Sequence, residues 1–215
     1  MLRVLLLEDE TLLRLTLAST LPDETMTVVG AFEDAKSAVA AAAETPFDVL
    51  VTDLNLTTGS GPNGIAVATV VRRRFPEVGI VLLASYADPR LVGAKLSQVP
   101  DCTEYMRKQD VRDIEMLRSV IRRAAFGSVD RLADVPAVDL TDMQIETMRL
   151  IAQGLNNAEI ARQRVVTERA VEQSINRIVR SLGYDNDSSL NRRALIIRAY
   201  YELTGSGNAP NATSS

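Results

Sequence analysis

The 215-residue chain has no histidine and no tryptophan, one cysteine, and only 4% aromatic residues. Without imidazole there is no histidine-based catalytic triad and no histidine-ligated metal. Carboxylates, hydroxyls, lysine and oxygen-ligated metals are left to carry any chemistry. Cys102 has no partner for a disulfide or a thiolate cluster and is expected to pack in a buried strand. No apolar run approaches the roughly 20 residues that span a bilayer, and the first residues open a strand rather than a signal peptide. A soluble, cytoplasmic protein with no membrane partner is expected. Positive charge is also scarce, at 24 basic against 28 acidic side chains, but unevenly so. Residues 1–126 hold 14 basic and 17 acidic side chains, net −3, whereas residues 162–198 hold 8 and 4, net +4. Only the second stretch is suited to nucleic acid.

Apolar residues make up 46% of the chain, enough for one large domain or two small ones, each with its own core. The pattern favours two. Strand-like runs at Arg3 to Leu7, Thr27 to Ala31, Phe47 to Thr52, Gly79 to Ala84 and Cys102 to Met106 alternate with helical periodicity. The helices begin near Leu12, Asp34, Gly64, Pro89 and Val111, the fourth predicted over Pro89 to Gln98. Five β-α units with crossovers of this length imply an α/β, flavodoxin-like domain, a parallel five-stranded sheet of order 2-1-3-4-5 with helices on both faces. Residues 127–139 break the pattern and are predicted to be a linker. Residues 140–203 read as helices only, an all-α domain, and residues 204–215 lack apolar side chains to bury and are expected to be disordered.

The first domain is organised around F-D-V-L-V-T-D-L-N, residues 47–55. An apolar run that ends in a carboxylate places Asp53 at the carboxyl end of a central strand, the edge where ligands bind in open parallel sheets. Glu8 and Asp9 follow the first strand, which neighbours the third in this order, so the three carboxylates share a pocket. Ser85 follows the fourth strand and Lys108 the fifth. Clustered like charges need a cation, and Mg²⁺ suits a set of carboxylates, a carbonyl and retained waters. With Lys108 and Ser85 placed to bind the oxygens of an anion on Asp53, the most economical anion is a phosphoryl group, which makes an aspartyl-phosphate site.

These motifs, L-L-L-E-D-E at Glu8 and Asp9, D-L-N at Asp53, A-S-Y at Ser85 and Y-M-R-K ending in Lys108, resemble the receiver domain of bacterial two-component response regulators over residues 1–126. The resemblance implies that Asp53 accepts phosphate from a sensor histidine kinase, and that Glu8, Asp9, Asp53 and the Asn55 carbonyl hold Mg²⁺. It further implies that Ser85 and Tyr105 form a switch pair. Two departures stand out. Gln109 follows Lys108 where receivers usually have proline, and T-T-G-S-G-P-N-G from Thr57 is longer than the usual loop and lacks its proline. Asp53-Leu-Asn55-Leu-Thr57 also resembles the nucleophile loop of haloacid-dehalogenase-type phosphatases, but Asn55 cannot serve as their acid-base residue.

In the second domain, Asn157 to Arg164 and Thr167 to Leu182 flank a three-residue turn, a helix-turn-helix pattern. Ala170, Val171, Ile175, Ile178, Val179 and Leu182 form the expected buried stripe. Arg169, Glu172, Gln173, Asn176, Arg177 and Arg180 form the opposite face, with side chains suited to base edges and phosphates. The stretch from Leu140 to Gly183, with L-T-D, I-A-Q-G-L-N-N-A-E-I-A and E-R-A-V-E, closely resembles the LuxR-type domain of the NarL/FixJ response regulators. That implies binding of double-stranded promoter DNA as a homodimer, with Glu172, Gln173 and Asn176 at base-reading positions; the apolar stripe of the last helix, Leu195, Ile196, Ala199, Tyr200 and Leu203, either packs within its own domain or pairs two subunits. Glu172 departs from a frequent lysine. The chain as a whole is thus expected to be a DNA-binding transcriptional regulator controlled by phosphorylation of Asp53, catalysing nothing beyond its own phosphotransfer. Two alternatives stay open: control of DNA binding without phosphate, and a C-terminal domain that binds protein instead.

Overall fold

The computed structural model describes residues 1–56, 64–86, 88–93, 98–126, 138–184 and 191–204. The predicted linker core, the loop from Thr57 and the tail beyond Thr204 lie outside them. By packing, the chain divides into one unit of Met1–Ser85 with Lys95–Val135, and another of Tyr86–Ala94 with Pro136–Ser215.

The first unit is built on five parallel strands, β1 (Leu2–Leu7), β2 (Met26–Phe32), β3 (Val49–Asp53), β4 (Gly79–Ala84) and β5 (Thr103–Arg107), in the order β2-β1-β3-β4-β5. Its helices are α1 (Thr11–Thr20), α2 (Ala35–Glu44), α3 (Gly64–Arg74) and α4 (Ile114–Phe126). The strand alternation sorts side chains to two faces. Val4, Leu6, Val49 and Val51 pack with Leu17 of α1 and with Leu117, Val120 and Ile121 of α4. Leu5, Leu7 and Leu50 face Ala35, Ala38 and Ala42 of α2 and Val67 and Val71 of α3. Central β3 and β4 are buried along their whole length, Thr52 and Asp53 at the end of β3 included.

The second unit contains α5 (Asp142–Ala152), α6 (Asn157–Arg164), α7 (Glu168–Ser181) and α8 (Arg192–Leu203). Each helix start has a side-chain cap. Thr141 and Asn156 form reciprocal capping boxes with Gln144 and Glu159, while Thr167 and Asn191 cap α7 and α8. The core gathers Ile145, Met148, Ile151, Ile160, Val171, Ile175, Ile178 and Ile196 together with Leu91, which is fully buried.

Several expectations are corrected here. The helix predicted over Pro89 to Gln98 is a short 3-10 turn, Pro89–Val92, ended by Gly93 at φ +83°; residues 94–97 lie outside the description. Residues 88–93, within the stretch read from sequence as the first domain, pack with the helical unit, where Arg90 pairs with Asp88 and Asp142 and donates to the carbonyls of Val138 and Leu140. Cys102 is exposed at φ +59° just before β5, because the strand begins one residue later than its apolar pattern suggested. On α7, Ala170 is exposed rather than part of the buried stripe, since the Thr167 cap puts it in the first turn.

Candidate phosphoryl-acceptor site and recognition helix

The carboxyl ends of β1, β3 and β5 bring Glu8, Asp9, Asp53 and Lys108 together. Glu8 is fully buried and Asp53 is 6% exposed. One carboxylate oxygen from each of Glu8, Asp9 and Asp53 lies within 4.8 Å of the others. Lys108 Nζ donates to Glu8 Oε1 at 3.0 Å and to Asp53 Oδ2 at 2.9 Å. The other Asp53 oxygen, Oδ1, accepts the backbone N–H of Asn55 at 3.1 Å. Every peptide bond among the described residues is trans, and Lys108, with Gln109 after it, still reaches both carboxylates. The 3-10 turn Lys108–Asp110, closed by the Arg107–Asp110 ion pair at 2.6 Å, sets its direction.

Burial pushes the Glu8 carboxyl above its ordinary pKa, and the Asp53 charge adds to this against the opposing Lys108. Burial pulls the Lys108 ammonium down, but its hydrogen bond to Glu8 and the Asp53 charge outweigh that and raise it. Glu8 Oε2 lies 2.8 Å from Lys108 Nζ at an angle that leaves it without a hydrogen bond. A buried carboxylate oxygen with unused acceptor capacity, in a set of hard oxygen donors, fits a Mg²⁺ ion well. Glu8, Asp9 and Asp53 could hold it with the backbone carbonyl of Asn55.

Ser85 is exposed just after β4, and Tyr105 is half-buried in β5, its backbone opposite Leu82.

Two supports of the site were not read from the sequence. Arg14 donates to the carbonyls of Glu8 at 2.8 Å and Asp9 at 3.2 Å, holding the acidic loop from below. Gly64 opens α3 so close to β3 that a Cβ there would sit 1.8 Å from the Asp53 carbonyl oxygen. Its place at the start of an apolar-periodic run was the only signal available.

In the helical unit, α7 carries Arg169, Glu172, Gln173, Asn176, Arg177 and Arg180 exposed, opposite buried Val171, Ile175, Ile178 and Val179. A helical repeat of 3.6 residues separates the two faces cleanly. Asn176 Oδ1 accepts a hydrogen bond from Arg192 of α8, a neighbour that the sequence did not bring to it. The turn before α7 contains Val165 in a left-handed conformation at φ +55°, with its side chain 91% exposed.

Residues 4–113 match the family of response regulator receiver domains, and residues 138–194 match the bacterial regulatory proteins of the luxR family. The chain belongs to the response regulators. As a LuxR-type response regulator it joins a receiver to a DNA-binding helix-turn-helix domain and acts in transcription regulation. It is 28% identical over 198 residues to the DNA-binding transcriptional activator DevR/DosR of Mycobacterium tuberculosis, covering 86% of this chain and 90% of that protein. It is also 28% identical over 200 residues to the transcriptional regulatory protein LiaR of Bacillus subtilis, covering 85% and 91%. Among solved structures, a complex of the response regulator RcsB with DNA aligns with a TM-score of 0.59 at 20% identity, over 94% of this chain and 98% of that one. RcsB of Salmonella typhimurium aligns with a TM-score of 0.56 at 22% identity, over 94% and 98%. At these identities the structural likeness speaks for the fold of this response regulator. No helix among its described residues is long and apolar enough to cross a membrane.

Proposed function

We propose that Asp53 is the phosphoryl acceptor of this response regulator and that its phosphorylation controls DNA binding by α7. What carries this reading is the bridging ammonium of Lys108, 2.9 Å from Asp53 and 3.0 Å from Glu8. An Asp53 oxygen attacks the phosphorus of a phosphohistidine on a sensor kinase. The P–N bond breaks, its electron pair leaves on the imidazole nitrogen, and an acyl phosphate forms. Lys108 then moves its hydrogen bond from the Asp53 carboxylate to a phosphoryl oxygen, keeping the charge paired. Glu8, Asp9, Asp53 and the Asn55 carbonyl would hold a Mg²⁺ ion, which would supply charge neutralisation at this site. Ser85 turns its hydroxyl toward the phosphoryl group and Tyr105 takes up the space vacated, so a local charge biases a two-state element.

On the DNA side, Arg169, Arg177 and Arg180 bind phosphates while Glu172, Gln173 and Asn176 face base edges. The relative DevR/DosR is named as a DNA-binding activator, and RcsB has been solved as dimers on DNA. By that analogy this chain works as a homodimer on promoter DNA in the cytoplasm, reading paired half-sites. A different observation favours a phosphate-independent variant: Gln109 follows Lys108 where receivers usually have proline, and the bond between them is trans.

Incubation with Mg²⁺ and acetyl phosphate, followed by intact-mass measurement, separates these. One phosphoryl group on the wild type and none on Asp53→Ala is the expected result, and no uptake by the wild type would establish the phosphate-independent variant. Arg177→Ala with Arg180→Ala is expected to weaken DNA binding and flatten its salt dependence. Retention of DNA unaltered in strength and salt slope would remove α7 from the interface.

A further inference from the structure

We infer that Arg192 is a positioning residue for base readout, turning the Asn176 carbonyl toward α8 and thereby favouring its Nδ2 donors for contact with a base. This rests on the reading of α7 as the recognition helix. The two residues lie 16 apart in sequence, on α8 and α7, and Arg192 Nη1 donates to Asn176 Oδ1. Arginine has donors and no acceptor, so the orientation of the amide is forced: Oδ1 turns toward Arg192 and the Nδ2 hydrogens turn away from it.

The first turn of α8 divides its two arginines between different tasks. Arg193 Nη1 donates to Asn157 Oδ1 at 2.9 Å and its Nη2 donates to the Leu155 carbonyl, which ties α8 to the start of α6. Asn191 caps the helix by accepting from the Arg193 backbone N–H at 3.0 Å. With the helix end fixed in this way, Arg192 is delivered to the exposed face of α7. There Asn176 shares a stripe with Gln173 and Arg180, three and four residues away.

An asparagine free to turn its amide can offer either a carbonyl or an amino group to a base. It therefore tolerates both acceptor and donor edges. Locked by Arg192, Asn176 offers donors. Guanine, adenine and thymine all present an acceptor in the major groove, whereas the cytosine edge presents its N4 amino donor. The lock thus disfavours cytosine at one strand position in each half-site. A single mismatched polar contact of this kind is worth about tenfold in affinity.

Selection of randomised duplex DNA by the full-length chain, read as base frequencies at each position, tests this. The wild type should deplete cytosine about tenfold at one position per half-site. Arg192→Ala should restore cytosine there and leave the other positions unchanged, and Arg192→Lys, which keeps a donor, should preserve the depletion. Asn176→Ala should abolish the depletion and make Arg192→Ala silent in that background. Arg193→Ala is the structural control, expected to weaken binding at all positions alike. An unaltered profile for Arg192→Ala, or a uniform loss like that of Arg193→Ala, overturns the inference while α7 remains a DNA reader. If the wild type enriches no sequence, the reading of α7 as a recognition helix fails and the inference falls with it.

Discussion

The two candidate sites use charge in opposite settings. At the strand ends of the first unit, Glu8 and Asp53 are buried, and both pair with the half-buried Lys108. On α7 the charged and amide side chains stand in solvent, and the helix is held by a separate apolar face. Buried charges contribute to both folding and chemistry, because removing one leaves its partner desolvated and unpaired. Exposed charges on a helix whose packing lies elsewhere can change with little effect on stability. Substitution can therefore change the exposed face of α7 far more freely than the buried carboxylate set.

The sharpest test of this contrast is Gly64→Ala, since the added methyl meets a backbone oxygen that cannot rotate away. A destabilisation of about 4 kcal/mol is expected, read in denaturant melts, with loss of phosphoryl uptake on Asp53. Lys108→Ala should cost about 2 kcal/mol, below the range for fully buried pairs because the ammonium is partly exposed and Glu8 can take up a proton. Adding Glu8→Gln should return most of that loss. Two independent, additive losses would show that the buried charges are not coupled. In the helical unit, Val165→Asn should stabilise by about 1 kcal/mol, because asparagine tolerates the left-handed conformation and the valine side chain buries almost nothing. A loss of stability there would mean that Val165 packs in solution. The smallest stability effect belongs to Glu172→Lys, below about 0.5 kcal/mol. Its DNA affinity should nonetheless rise and its salt slope steepen by about one. A large change in melting would break the contrast from the α7 side.

The sheet and the acidic end of it were legible because β3 and β4 are apolar runs, and because an aspartate that stops such a run can only lie at its tip. The exposed face of α7 was legible from its 3.6-residue repeat. What escaped were relations through space. The demand on Gly64 comes from a carbonyl eleven residues earlier, and the orientation of Asn176 comes from an arginine on another helix. Neither leaves a periodic trace. The stretch after β4 was misread because Pro89 resembles a helix start, whereas Gly93, just beyond the turn, was the stronger signal. The start of β5 was placed one residue early because Cys102 is apolar by type, although its backbone is left-handed.

The fate of Leu91 bears on how such proteins exchange modules. The helical unit is discontinuous in sequence, drawing residues 86–94 from the middle of the chain and the remainder from Pro136 onward. Its core counts Leu91 among its members, and Tyr200 of α8 donates its hydroxyl to the Leu91 carbonyl at 3.1 Å. A recombination event or an engineered fusion joined at the sequence linker would carry α5 to α8 without that leucine. The transplanted helices would arrive with an isobutyl-sized hole, a deficit of about 3 kcal/mol. Leu91 therefore serves the packing of α5 to α8 although it lies inside the stretch, residues 4–113, that matches the receiver family.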